Sequence, residues 1–274
     1  MKLKQLYSIP GKTVVTAHRG FSACYPENTL AAFSKAVEIG VDIVEFDVRE
    51  TKDHQLVILH DPTVDRTTDG KGAIEDWTWE DAKALNATYW QGMHRDGQRL
   101  DHAAGDEGIP LFSDALALLR GKAGINIQVY TSTTQALEKI VDLYLAHGLE
   151  DSAYLMLRTF DDACHVRSIS RRVALCVGEE RTNIERHIAF GVDFMQPMKH
   201  SLKAPLIKEL HACGIPYNIF YANTEEEMTW MMERKIRGIM TDAPHRLLAL
   251  IESRKGEKLA PGLYRPIGPQ FFSK

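Results

Sequence analysis

Short apolar, β-branched runs alternating with amphipathic helical stretches restrict this 274-residue chain more than any other feature. Nine such runs occur: VVTAH (14–18), DIVEFDV (42–48), LVILH (56–60), INIQVY (125–130), AYLMLR (153–158), RVALCVG (172–178), DFMQPM (193–198), PYNIFYA (216–222) and GIMTD (238–242). Most are separated by stretches with helical periodicity. Strand–helix alternation of this length predicts parallel strands joined by right-handed crossovers, as an open doubly wound sheet or a closed (β/α)8 barrel. Nine runs exceed the eight of a barrel, and the surplus falls at 42–60. The segment Arg49 to Gln55 is too short for a crossover helix, so the second and third runs are expected to form a hairpin that returns His60 toward Glu45 and Asp47.

The first helix, in PENTLAAFSKAVEIG, is capped by Asn28 or Thr29, carries Leu30, Phe33 and Val37 on one face, and stops at Gly40. Further helices are expected at FSDALALLRG and TTQALEKIVDLYLAHG, and near 161–169, 183–190, 202–213 and 224–234. A long connection from Asp61 to Leu111 predicts a functional insertion (about 61–108) with one helix at Trp79–Leu85 and a very polar stretch at 91–108. The Pro/Gly-punctuated tail from Gly256 is expected to wrap the surface. No internal repeat or linker composition divides the chain, so one domain over 1–274 is expected.

A hydrophobic fraction of 44% with 26% charged residues describes a globular chain with ample core. The net charge of −4 and pI near 6.3 argue against a nucleic-acid partner, which selects a basic surplus. Cys24, Cys164, Cys176 and Cys213 show no C-x-x-C spacing, which favours idle thiols over a zinc site or disulfide framework. MKLKQLYSIPGK has no apolar signal region and no window reaches membrane-spanning length, so a cytoplasmic protein without stable membrane insertion is expected.

Chemistry-bearing residues gather between Val14 and Thr68. His18-Arg19-Gly20, Glu45 with Asp47, and His60-Asp61 each sit in or at the end of a strand run, where an α/β protein builds its active site. The dense motif HRG, PENTLAAFSKAVEIGVDIVEFDVRETKDHQLVILHDPTVDRTT, with IPL (109–111), INIQVY and GIMTDAP (238–244), resembles the glycerophosphodiester phosphodiesterase family, which extends to spider-toxin-like phospholipases D. The resemblance implies a (β/α)8 TIM barrel with a small insertion after the third strand, acting on a small-molecule phosphodiester.

Position by position, it implies that His18 and His60 act as general acid and base. An imidazole, with an unperturbed pKa of about 6.5, both gives and takes a proton near neutrality. It implies that Glu45 and Asp47 hold a divalent cation, Mg²⁺ or Ca²⁺; their i, i+2 spacing puts both on one strand face. Arg19 corresponds to a phosphate-gripping guanidinium. Pro26, Glu27 and Asn28 are assigned to the turn and helix cap, with Glu27 a candidate support for the site.

The chain departs from the family on its fourth strand. Where relatives carry Glu-x-Lys, for metal and phosphate respectively, it has Gln128 and Tyr130. Gln128 offers an uncharged carbonyl to the cation and Tyr130 a hydroxyl to phosphate. Glu179 or Glu180 is a candidate substitute carboxylate, weighed against an exposed loop pair. Near the end, Asn218-Ile219-Phe220-Tyr221-Ala222-Asn223 replaces Trp-Thr-Val-Asn and keeps an aromatic. Three readings stay open: a metal-dependent glycerophosphodiesterase, a hydrolase or transferase of sugar phosphodiesters, and a non-catalytic phosphodiester binder.

Overall fold

The computed structural model describes residues 2–89 and 107–254; the tail from Gly256, and all but the end of the polar 91–108 stretch, lie outside them. Seven strands form one sheet: β1 (Val14–Ala17), β2 (Ile43–Glu50), β3 (Leu56–Ile58), β4 (Gly124–Val129), β5 (Ala153–Leu157), β6 (Leu175–Val177) and β7 (Gly238–Thr241). The spatial order is β6-β5-β4-β2-β1-β7, with every neighbour parallel. The surplus run is β3, which pairs antiparallel with β2, Val48 opposite Ile58. The expected hairpin is therefore present, and it sits outside the parallel ring.

Two expected strands, 193–198 and 216–222, appear only as isolated bridges. Pro197 and Pro216 interrupt them, and proline has no N–H to give a ladder. They nevertheless close the ring. Asp193 and Phe194 donate to Leu175 O (2.8 and 3.0 Å), Met195 bridges Tyr217, Met198 bridges Phe220, and Ile219 bridges Ile239 beside β7. The result is a (β/α)8 barrel of six parallel strands and two bridged segments.

Side-chain alternation sorts the residues into two cores. Val44, Phe46, Ile125, Ile127, Leu155 and Leu175 face outward into a large apolar layer with the helices. Ile43, Tyr154, Met156, Cys176 and Phe194 face inward, where Tyr154 stacks on Phe194 at 4.3 Å. Each such fully buried apolar side chain contributes about 1.5–3 kcal/mol. The short helix Leu3–Leu6 plugs the barrel's lower end with Leu3, Leu6 and Tyr7. Gly124 accommodates that plug: a Cβ there would meet Leu3 Cδ1 at 2.5 Å.

Eight helices longer than six residues surround the barrel among the described residues: Leu30–Glu38, Phe112–Leu119, Thr134–Ala146, Phe160–Ile169, Ile184–Phe190, Ala204–Ala212, Glu225–Glu233 and Pro244–Arg254. Thr29, not Asn28, caps the first, its hydroxyl accepting from Ala32 N at 3.2 Å. The insertion builds a small core of its own from Val57, Leu59, Val64, Ile74, Ala82 and Ile109, with a short helix Trp79–Ala82 where Trp79–Leu85 was expected. No described helix is long and apolar enough to cross a membrane.

Candidate active site

Inward-facing residues change character toward the C-terminal ends of the strands. On β2, Glu45 and Asp47 follow Ile43, paired in register with Asn126 and Gln128 of β4. Both carboxylates are almost wholly buried, at 1% and 0% exposure. Their environment is asymmetric. Glu45 Oε2 accepts from Arg19 N (2.9 Å) and Asp47 Oδ2 from Asn28 Nδ2 (2.8 Å), while Glu45 Oε1 and Asp47 Oδ1 have no hydrogen-bond partner. Burial, then the neighbouring Asp47 charge, pushes the proton affinity of Glu45 well above the usual carboxylate range. Two orphaned, buried carboxylate oxygens on one strand face suit a hard divalent cation.

The HRG turn supplies the other wall. Arg19 adopts a left-handed backbone (φ 55°), which aims its N–H at Glu45. Gly20 follows at φ 79°, and a Cβ there would meet Ala32 at 2.8 Å, so only glycine lets the turn press on the first helix. The Arg19 guanidinium pairs with Glu27 (2.8 Å) and Asp47 (3.2 Å). Burial opposes its charge, but Asp47, Glu27 and Glu45 outweigh it and hold the proton firmly.

Each predicted histidine is tied to a carboxylate. His18 Nδ1 lies 2.5 Å from Asp242 Oδ1, and His60 Nδ1 lies 2.6 Å from Asp61 Oδ1. Asp242 is held below the usual range: burial opposes its charge, but His18 and Asn223 prevail. Asp61 is lowered chiefly by His60, then by Arg66 against burial. Ionised carboxylates only accept, so both Nδ1 atoms carry the hydrogen and both Nε2 atoms are left for other work. His18 Nε2 is 4.0 Å from Glu45 Oε2. The hairpin returns His60 as expected, with Leu59 N donating to Asp47 O at 3.0 Å.

Tyr130 stands edge-on to His60 with ring centroids 5.2 Å apart, beneath the Arg49 guanidinium at 4.7 Å. Its hydroxyl accepts a hydrogen bond from Gln128 Nε2, which leaves Gln128 Oε1 as the free acceptor of that amide. Burial, then the Asp47 and Glu45 charges, raises the Tyr130 proton affinity, so it remains a neutral donor. Phe220 and Tyr221 both flank His18, Tyr221 stacked at 5.6 Å and Phe220 edge-on at 5.1 Å. Glu179 and Glu180 stay out of the site. Glu179 Oε2 accepts from Phe160 N (2.9 Å) and Glu180 pairs with Arg186.

Four supporting residues were undervalued or missed from sequence. Asn28 clamps Asp47 from both sides, its Oδ1 also accepting from Asp47 N at 3.3 Å. Glu27 accepts from Arg19 and, at 2.7 and 2.8 Å, from Arg66, which also grips Asp61. Burial opposes the Glu27 charge but the two arginines keep it ionised. Asp242 ends the last strand run, and its sequence signal is its place in the GIMTDAP motif. Among the described residues no three His, Cys, Asp or Glu side chains gather to hold a metal, and the strand register sets the amides of Asn126 and Gln128 opposite Glu45 and Asp47.

The chain is similar to known proteins over most of its length. The sequence model of the glycerophosphoryl diester phosphodiesterase family matches residues 18–246. A glycerophosphodiester phosphodiesterase of Caldanaerobacter subterraneus subsp. tengcongensis is 31% identical over 248 residues, covering 89% of this chain and 99% of its own. The glycerophosphodiester phosphodiesterase of Agrobacterium tumefaciens C58 shares the fold with a TM-score of 0.73 at 22% identity, covering 86% and 99% of the two chains. An Oleispira antarctica phosphodiesterase, solved with its product sn-glycerol 3-phosphate, has a TM-score of 0.75 at 22% identity over 90% and 99%. The chain thus belongs to the glycerophosphoryl diester phosphodiesterase family, a family of phosphoric diester hydrolases.

Proposed function

We propose that this protein hydrolyses glycerophosphodiesters with the help of a divalent cation, using His18 and His60 as its acid–base pair. One observation carries the reading: two imidazoles, each oriented through Nδ1 by an ionised carboxylate, flank a buried carboxylate pair with an orphaned oxygen on each. Family membership and the product-bound structure of a relative support it. Glu45, Asp47 and the Gln128 carbonyl would hold the cation, Mg²⁺ or Ca²⁺. Bound there, it would neutralise charge on the phosphate oxygens.

The chain's own groups do the rest. The Nε2 of one histidine takes the proton of the attacking water as its oxygen bonds to phosphorus. The other, entering the reaction as an imidazolium with a proton on each nitrogen, gives its Nε2 proton to the departing alkoxide oxygen as the phosphorus–oxygen bond breaks. The products are a phosphomonoester and an alcohol. Where the substrate carries an adjacent hydroxyl, that hydroxyl replaces water and a cyclic phosphate forms first. Arg19 and the Tyr130 hydroxyl face the non-bridging oxygens as donors.

Sugar phosphodiesters form the second substrate class, because uncharged Gln128 and Tyr130 line β4. A pure binder would have no use for two carboxylate-oriented imidazoles. The four unpaired thiols fit the reducing cytoplasm. Turnover of a panel of glycerophosphodiesters and sugar phosphodiesters, with Mg²⁺, Ca²⁺ or EDTA and with His18→Ala as control, tests the proposal. Activity indifferent to both EDTA and His18→Ala overturns the mechanism. Silence across the panel with binding intact promotes the binder.

A further inference from the structure

The arginines around the barrel mouth differ in how their charge is answered. Arg19 pairs with Glu27 and Asp47, and Arg66 with Glu27 and Asp61. Arg49 Nε donates to His60 O at 2.8 Å while its guanidinium covers the Tyr130 ring. Arg181, in the loop after β6, has weaker company. Its Nε reaches Gly178 O (3.2 Å), and its Nη1 reaches Gln196 O (3.5 Å) and Met198 Sδ (3.2 Å). Among the described residues no carboxylate lies within ion-pair distance of it.

Its position is fixed by those contacts. Gly178 directly follows β6, and Gln196 and Met198 belong to the next parallel segment of the ring. Burial lowers the proton affinity of Arg181, opposed by electrostatic contact with Cys176, which faces the barrel interior, and with Tyr130 at the end of β4. The guanidinium therefore sits on the β6 side of the mouth, between the end of β6 and the 193–198 segment, whereas Arg19 enters from β1. Gly178 leaves it room: a Cβ there would meet Met156 Cε at 3.0 Å and Arg181 Nη2 at 3.4 Å.

A half-buried guanidinium with only carbonyl and thioether partners bears an uncompensated desolvation cost. An anion is the partner that would offset it, and a planar donor fork suits a phosphate. β4 brings no charge of its own to that side of the mouth. We propose that Arg181 is a phosphate-binding residue of this site, placing from the β6 loop a positive charge that faces Arg19 across the substrate phosphate. The role rests on the phosphodiester reading above.

The test is calorimetric binding of sn-glycerol 3-phosphate and of inorganic phosphate to the full chain and to Arg181→Gln, Arg181→Lys and Arg171→Gln. Steady-state KM and kcat on a glycerophosphodiester and thermal unfolding accompany it. Arg171 is exposed at the lower end of the barrel, so its variant removes the same charge away from the mouth. Arg181→Gln is expected to weaken both anions about 10- to 100-fold, with Arg181→Lys intermediate and Arg171→Gln within about twofold of the parent. Unchanged phosphate affinity in Arg181→Gln overturns the proposal, and so does an equal loss in Arg171→Gln. Should Arg181→Gln fail to fold, Arg181→Lys decides: weakened binding at an unchanged melting temperature sustains the role, and parental binding overturns it. Arg181-dependent phosphate binding without turnover would sink the hydrolase reading alone, and turnover with Arg181-independent binding would sink this one alone.

Discussion

Asp242 holds His18 from the opposite end of the chain: the two are 224 positions apart, yet Oδ1 and Nδ1 lie 2.5 Å from one another. Asn223 Nδ2 and Ser22 Oγ also donate to this carboxylate, so it is itself fixed in place. His18→Ala is expected to lower kcat by about 10²- to 10⁴-fold. Asp242→Asn, which keeps the shape but loses the charge that selects the tautomer, is expected to cost about 10- to 100-fold with KM little changed and an altered pH–rate profile. An unchanged kcat in Asp242→Asn would assign the orientation of His18 to Phe220 and Tyr221 instead.

Asn28 is expected to control cation affinity without touching the cation. Its Nδ2 donates to Asp47 Oδ2 and leaves Oδ1 open, while its Oδ1 accepts from Asp47 N. Asn28→Ala should weaken divalent binding about 10- to 100-fold, read by calorimetric titration of Mg²⁺ and Ca²⁺. Equal affinities in parent and variant would show that the Arg19 contacts alone position Asp47.

Gln128 sits opposite Asp47 in the β2–β4 register, so Gln128→Glu adds a third carboxylate to the seat. Divalent affinity should rise at least about tenfold, since hard cations gain with each added ligand charge. The same titration decides it. An unchanged affinity places Gln128 outside the donor set.

The Asp61–Arg66–Glu27 chain predicts an acid-sensitive fold. Asp61 and Glu27 are both held below their ordinary range, so their contribution to stability is complete above an unfolded pKa of about 4 and is lost as pH falls below it. Arg66→Gln leaves Glu27 with Arg19 alone and Asp61 with His60 alone. Its acid-unfolding midpoint, followed by circular dichroism, should move to higher pH than the parent's. Coincident midpoints would mean that the exposed Arg66 contacts are screened away by water and salt.

The sequence made the first half of the site readable because local pattern and chemistry coincide there. His18 follows β1, Glu45 and Asp47 alternate with Val44, Phe46 and Val48, and Arg49–Gln55 is too short for anything but a hairpin. Asn28 reads locally as a turn and helix-cap residue, and only the fold shows that Thr29 takes the cap and leaves the Asn28 amide to Asp47. Arg66 and Arg181 lie in loops without periodicity, so nothing local announces which side chains they meet. The 193–198 and 216–222 runs, expected as strands, join the ring only through isolated bridges. Their prolines removed the ladder hydrogen bonds that would have made them regular strands.

Because β2 pairs directly with β4, the barrel's continuity bypasses β3 and everything carried on it up to Leu111. The insertion is thus a module hung on the rim, with its own small core. His60 stands at its root, pinned by Asp61 and by Arg49. Evolution or an engineer can therefore lengthen, shorten or exchange the stretch beyond Arg66 without changing the ring's strand count or stagger. Proton transfer at His60 thus rides on a hairpin post beside the ring, while the ring alone fixes the strands that carry Glu45 and Asp47.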